Sequence, residues 1–161
     1  MKLTEHRWVQ VIWCDDIRQE VGNKPSLMGV YTGSLVVPSL PTVIPRLAVW
    51  VSIYTPKTQP FKALKVRICN SEDDTTPVAE IQVDAEQLIA AADQPLSSQG
   101  TKGENTGNEN LVIGISFIML LGQIQLSEKT RWLKVWVDTE SEILESFKLR
   151  IDTPSSIRQK T

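Results

Sequence analysis

The chain has 161 residues, 41% of them hydrophobic, with 17 basic and 19 acidic side chains and a formal net charge of −2. That length fits one domain with a core large enough to stand without disulfides or a structural metal. The near-balanced charge gives no electrostatic reason to bind nucleic acid or an anionic membrane, and no apolar run reaches the roughly 20 residues that a membrane-crossing helix needs.

Short segments in which apolar and other residues alternate one by one recur along the chain. Successive side chains of a strand point to opposite faces, so this period of two predicts sheet with one face in a core. Val9, Val11 and Trp13 alternate with Trp8, Gln10 and Ile12, which predicts a strand over 7–14. Asp16 with Gln19 matches a capping box and predicts one helical turn over 17–20. Gly22, Asn23 and Pro25 break the chain. A second strand is predicted over 27–37, with Gly29 and Gly33 marking a bulge or a close approach. Pro38, Pro41 and Pro45 predict an extended connector that cannot continue a central strand.

The clearest strand is 46–54, where Leu47, Val49, Val51 and Ile53 alternate with Ala48, Trp50, Ser52 and Tyr54. The next is 63–69, with Leu64, Val66 and Ile68 inward and Lys65 and Arg67 outward. Glu72, Asp73 and Asp74 form a turn before a strand over 78–83. Asp84 with Gln87 is a second capping-box match, opening a short helix through Ala92. Residues 97–110 hold three glycines and no large apolar side chain, which predicts a mobile loop. Residues 111–121 are apolar on both faces and predict a central strand covered on each side. Segments 131–138 and 143–151 predict a closing hairpin, and 154–161 a frayed tail.

The predicted fold is all-β: a two-layer antiparallel β-sandwich, immunoglobulin-like or C2-like, of about seven or eight strands with one or two short helices. A closed barrel is the alternative, because periodicity does not fix closure. Nothing resembling a linker divides residues 1–161, so one domain is expected.

The residue inventory argues against catalysis. His6 is the sole histidine, near the chain start, and Cys14 and Cys69 have no activating base beside them. No nucleophile elbow, phosphate-binding glycine loop or dinucleotide fingerprint is present, so no catalytic or cofactor-binding residue is assigned. The two cysteines belong to no metal-spaced cluster and are expected to be reduced. Asp15, Asp16 and Glu20 form one acidic group and Glu72, Asp73 and Asp74 another, but neither has the spacing of a calcium loop, so no metal site is predicted. The polar start, Lys2 to Arg7, lacks a signal-peptide hydrophobic region, and a cytoplasmic protein is expected.

The aromatics are more telling. If the valines of 46–54 and 131–138 face the core, then Trp50, Tyr54, Trp132 and Trp136 face away from it. Large outward aromatics call for cover. That cover is supplied by loops of the same chain, by a homo-oligomer or protein interface, or by a stacked ligand such as a glycan.

The run Cys14-Asp15-Asp16-Ile17-Arg18-Gln19-Glu20 is followed by Gly22 through Tyr31, including Ser26-Leu27-Met28-Gly29-Val30-Tyr31. This signature, with the proline-rich connector before Arg46, resembles a family of small uncharacterised bacterial and phage proteins. The resemblance implies a compact single-domain protein in a bacterial or phage setting, virion-associated if phage-encoded. It brings no activity and no site residue. The expectation is a non-enzymatic structural or interaction protein, self-associating, with a glycan-binding module as the alternative.

Overall fold

The computed structural model describes residues 6–22, 24–73, 75–93 and 112–158. The alternating segments form β1 (Trp8–Cys14), β2 (Asp16–Glu20), β3 (Lys24–Met28), β4 (Ser34–Val36), β5 (Thr42–Pro56), β6 (Leu64–Asn70) and β7 (Ala79–Val83). They are followed by helix α1 (Ala85–Asp93), then β8 (Val112–Leu126), β9 (Trp132–Thr139), β10 (Ile143–Glu145), β11 (Leu149–Asp152) and helix α2 (Pro154–Arg158).

One sheet has the order β1-β5-β8. The larger sheet runs β4-β11-β9-β6-β7, with β10 also paired to β9. A separate two-stranded hairpin joins β2 to β3. Leu47, Val49, Val51 and Ile53 of β5 share one core with Leu64, Val66 and Ile68 of β6 and Leu133, Val135 and Val137 of β9, all fully buried. Two inner faces thus close on one apolar layer, as the alternation predicts for a sandwich. Arg7, ahead of β1, ties the two sheets at one end. Its side chain is 4% exposed and ion-paired to Glu140 at 2.5 Å, and it also reaches Thr55 Oγ1, Ser141 Oγ and the Phe61 ring.

Several local expectations are corrected. Residues 17–20 are strand, not helical turn. The Asp16 carboxylate accepts the Ile17 N–H at 2.9 Å, but burial of Ile17 against Cys14 and Ala48 holds the segment extended in a hairpin. The strand expected over 27–37 is two strands, β3 and β4, separated around Gly29 and Gly33, both at positive φ. Pro45 lies inside β5, the middle strand of its sheet. The ring is tolerated because β1 reaches only as far as Ala48, and the β5–β8 ladder skips from Ile44–Ile124 to Arg46–Gly122. Gln123, opposite Pro45, takes a φ of 51° there.

The apolar segment expected to be central is β8, and among the described residues it is an edge strand. The closing hairpin forms between β9 and β10, but the return strand breaks at 146–148. There Phe147 swings outward, 96% exposed, and Ser146 Oγ accepts the Val135 N–H at 3.1 Å before β11 resumes on β9. The strands number eleven among the described residues, above the expected count, and β4 runs parallel to β11, an exception to the antiparallel rule. Residues 154–158 are a helical turn rather than frayed, with Thr153 and Ser156 bonding each other's backbone N–H. The loop expected over 97–110, Asp74 and the last three residues lie outside the described residues.

Candidate functional site

The outward positions of β1, β5 and β8 form cross-strand rows on the face turned away from the core. Trp8, Tyr54 and Gly114 stand in one row, Gln10, Ser52 and Ser116 in the next, then Ile12, Trp50 and Ile118. Neighbouring rows lie about 7 Å apart, because residues i and i+2 of a strand share a face. Trp8 stacks on Tyr54 with ring centroids 3.9 Å apart and planes 17° from parallel. Ser52 and Ser116 share a hydrogen bond of 2.9 Å. The result is a small polar floor between an aromatic wall, Trp8 with Tyr54, and a second wall of Trp50 and Ile12. A slot of about 100 Å³ is lined there by Gln10, Ile12, Trp50, Ser52 and Tyr54.

The β2–β3 hairpin covers the far end of this face. Ile17 and Leu27 pack with Cys14, Ala48, Trp50 and Ile118, so the fourth row is half roofed. Leu120 on the same row is 56% exposed. No outward position in these rows carries a charge.

The signature residues hold that hairpin in place. The Tyr31 hydroxyl bonds Asp15 Oδ1, the Tyr31 N–H donates to Trp13 O at 2.8 Å, and the Asp15 N–H donates to Met28 O at 2.9 Å. Gly29 has a φ of +65°, and a Cβ there would collide with the Asp15 carboxylate, which is the close approach the sequence implied. Asp16 takes Arg46 at 2.5 Å and Arg18 at 3.7 Å. Burial, then the Asp15 carboxylate, pushes the Tyr31 phenol up to about 12. Burial, then the Asp15 charge, also pushes the Cys14 thiol up, so neither group is an activated nucleophile at neutral pH.

The outer face of the larger sheet is of another kind. Trp132 and Trp136 lie there, beside the ion pairs Lys65–Glu80, Arg67–Asp138 and Lys134–Glu145. Lys134 Nζ sits 4.2 Å from the Trp136 ring centre. The four aromatics expected to form a contact surface therefore divide, Trp50 and Tyr54 on one side of the sandwich and Trp132 and Trp136 on the other.

Other hollows offer less. One of about 590 Å³ is open and lined by Pro38, Leu40, Arg131, Asp152 and Ser156 among others. No group of three metal-ligating side chains occurs among the described residues. Glu72 accepts the hydroxyls of Thr130 and Ser127, which lower its pKa, and Asp73 accepts Thr75 and Thr76 with the same effect, so both serve turns.

Residues 10–152 match the model of a family of unknown function, DUF6941. The chain belongs to this family. No curated protein and no solved structure matches it. The DUF6941 match contains both the signature cluster and all three strands that carry the uncharged rows, except the start of β1.

Trp8, Ser52, Ser116, Ile118 and Leu120 were not singled out by the sequence. The signal that marks them is a contrast of outward positions: lysine and arginine on β6 and β9, none on β1 or β8, and on β5 only Arg46, beyond the β1 pairing and ion-paired to Asp16.

Proposed function

We propose that this protein is a non-enzymatic interaction module that self-associates through the outer face of its three-stranded sheet. The observation that supports it is the absence of charge from the cross-strand rows of that face between Trp8 and Leu120, Arg46 lying beyond them. Trp8, Ile12, Trp50, Tyr54, Ile118 and Leu120 remain partly or largely open there, whereas the opposite face is laced with ion pairs. A contiguous uncharged aromatic surface is depleted in the residues that keep a monomer apart, and a copy of itself is its commonest cover. The raised thiol of Cys14 and phenol of Tyr31 favour a structural role for the signature over a catalytic one. The setting in which it would act is bacterial or phage, by the resemblance of the signature, and cytoplasmic or virion-associated.

Sedimentation velocity across a micromolar concentration series tests this. Mass should rise with concentration, Trp50→Ser should shift the protein toward monomer, and Trp136→Ser on the opposite face should not. A wild type monomeric throughout overturns the proposal.

The slot beside Trp50 and Tyr54 favours one second function, a stacked sugar ring over the Ser52–Ser116 floor. Glycan-dependent tryptophan fluorescence, abolished in Tyr54→Ser, is its signature.

A further inference from the structure

Resting on the self-association proposed above, and adding a second contact to the outer-face one, we infer that two copies also join edge to edge through β8, in antiparallel fashion across a two-fold axis, to make one continuous sheet β1-β5-β8-β8-β5-β1. An edge strand presents a row of unpaired N–H and C=O groups, and proteins blunt such edges with charge, proline or brevity. The other edges here are blunted in these ways. β7 has five residues and carries Glu80; β4 has three and is followed closely by Pro38; β1 has seven and is flanked by Arg7 and Asp15. β8 has fifteen residues, Val112–Leu126, with neither a charge nor a proline among them. Its strand pairing is to β5 alone among the described residues; α1 and β2 approach it without pairing to it.

The second copy is the occupant that the chemistry fits. Along 112–122, ahead of the kink at Gln123, an antiparallel two-fold pairing lets the open N–H groups of one β8 meet open C=O groups of the other, and it sets no like charges opposite each other. Directly opposed residues in such a ladder share a face. The outward Ile118 and Leu120 then meet their counterparts, extending the uncharged face without a break. Ile115 and Phe117, which face inward and pack on the core while remaining partly open, gain a matching neighbour across the axis. A charged or proline-bearing peptide would forgo this match.

Amide hydrogen exchange, read at low and high protein concentration on the full chain, tests the pairing. Half of the β8 amides point away from β5 and exchange fast in a monomer; they should slow about tenfold or more as the dimer forms, with β7 amides unchanged. Leu120→Lys, at an exposed position, places a cation in each copy beside the axis and should raise the dimer dissociation constant by about tenfold or more. Ser116→Lys, also exposed, is an independent variant at the same edge, and far-UV circular dichroism reports that either remains folded. A mixture of Leu120→Lys and Leu120→Glu chains should regain dimer. Dimer formation that leaves β8 exchange unchanged, yet is lost in Trp50→Ser, overturns edge pairing and leaves face-to-face association standing. A protein monomeric at every concentration overturns both.

Discussion

Replacing Arg7 by methionine removes the cation that ties the two sheets, keeping most of the side-chain volume. In the wild type its guanidinium donates to Thr55 Oγ1 and Thr139 Oγ1 at 3.2 Å, Ser141 Oγ at 2.9 Å and Gln59 O at 3.2 Å, and lies 4.8 Å from the Phe61 ring centre. Its partner Glu140 accepts the N–H groups of Lys62 and Ala63 through the other oxygen, at 3.1 and 3.4 Å. Breaking a fully buried pair costs about 3–5 kcal/mol. Glu140 is 23% exposed and keeps its backbone donors, so the pair is worth less, about 2 kcal/mol, with about 1 kcal/mol more from the cation over Phe61. A loss of about 3 kcal/mol corresponds to a melting temperature lower by about 6–12 °C for a domain of this size.

The same contact sets an acid dependence. Burial alone would raise the Glu140 pKa, but Arg7 and the backbone donors outweigh it and hold the carboxyl at about 2, below its ordinary 4.5. A depressed folded pKa contributes stability that is present above the unfolded value and lost as pH falls toward the folded one. Wild-type stability should therefore decline as pH falls from about 5 toward 2, and Arg7→Met should decline less over that window. Glu72 and Asp73, also lowered, contribute a decline common to both proteins, so the difference isolates Glu140. Urea unfolding at stepped pH measures it. A variant as stable as wild type, or with an identical acid slope, refutes the reasoning.

Gly29→Ala should cost about 2–3 kcal/mol, because a side chain at φ +65° is strained and its Cβ displaces Asp15 from Tyr31. Spectrophotometric titration should show the Tyr31 midpoint falling from about 12 toward 10, and Asp15→Ala in the same chain should recover only the clash, not the strain. Millimolar calcium should leave the melting temperature unchanged, since Asp15, Asp16, Glu72 and Asp73 are each engaged by protein partners. A site with a dissociation constant a hundredfold below the calcium concentration would add about 2.7 kcal/mol, a rise of several degrees that calorimetry would register.

The alternation of β5 and β9 was legible because every second residue there is fully buried and nothing local competes with that pattern. β2 was not, because Asp16 and Gln19 satisfy a helical cap on paper while Ile17 gains its burial from Cys14 and Ala48, residues outside its own turn. β8 misled for a related reason. Apolar residues on both faces signal cover on both, but here a hairpin roofs only part of the outer face, and an edge position leaves Leu120 open. The outward direction of Trp50, Tyr54, Trp132 and Trp136 follows from periodicity. Their division between opposite faces does not, since it depends on which strands share a sheet. Arg7 and Glu140 are separated by most of the chain and leave no pattern in sequence.

The β5–β8 ladder has a consequence for the order in which the chain can fold. Thr42 pairs with Leu126 and Pro56 with Val112, so the longest ladder among the described residues closes over everything between them. Contacts so distant in sequence must offset a loop-closure entropy before they reward the chain, and they slow folding. During synthesis β5 emerges with β1 alone beside it and waits through β6, β7 and α1 for its second neighbour. Throughout that interval a fifteen-residue strand site stands open, and the uncharged segment destined for it has no charge or proline to discourage pairing with the wrong molecule.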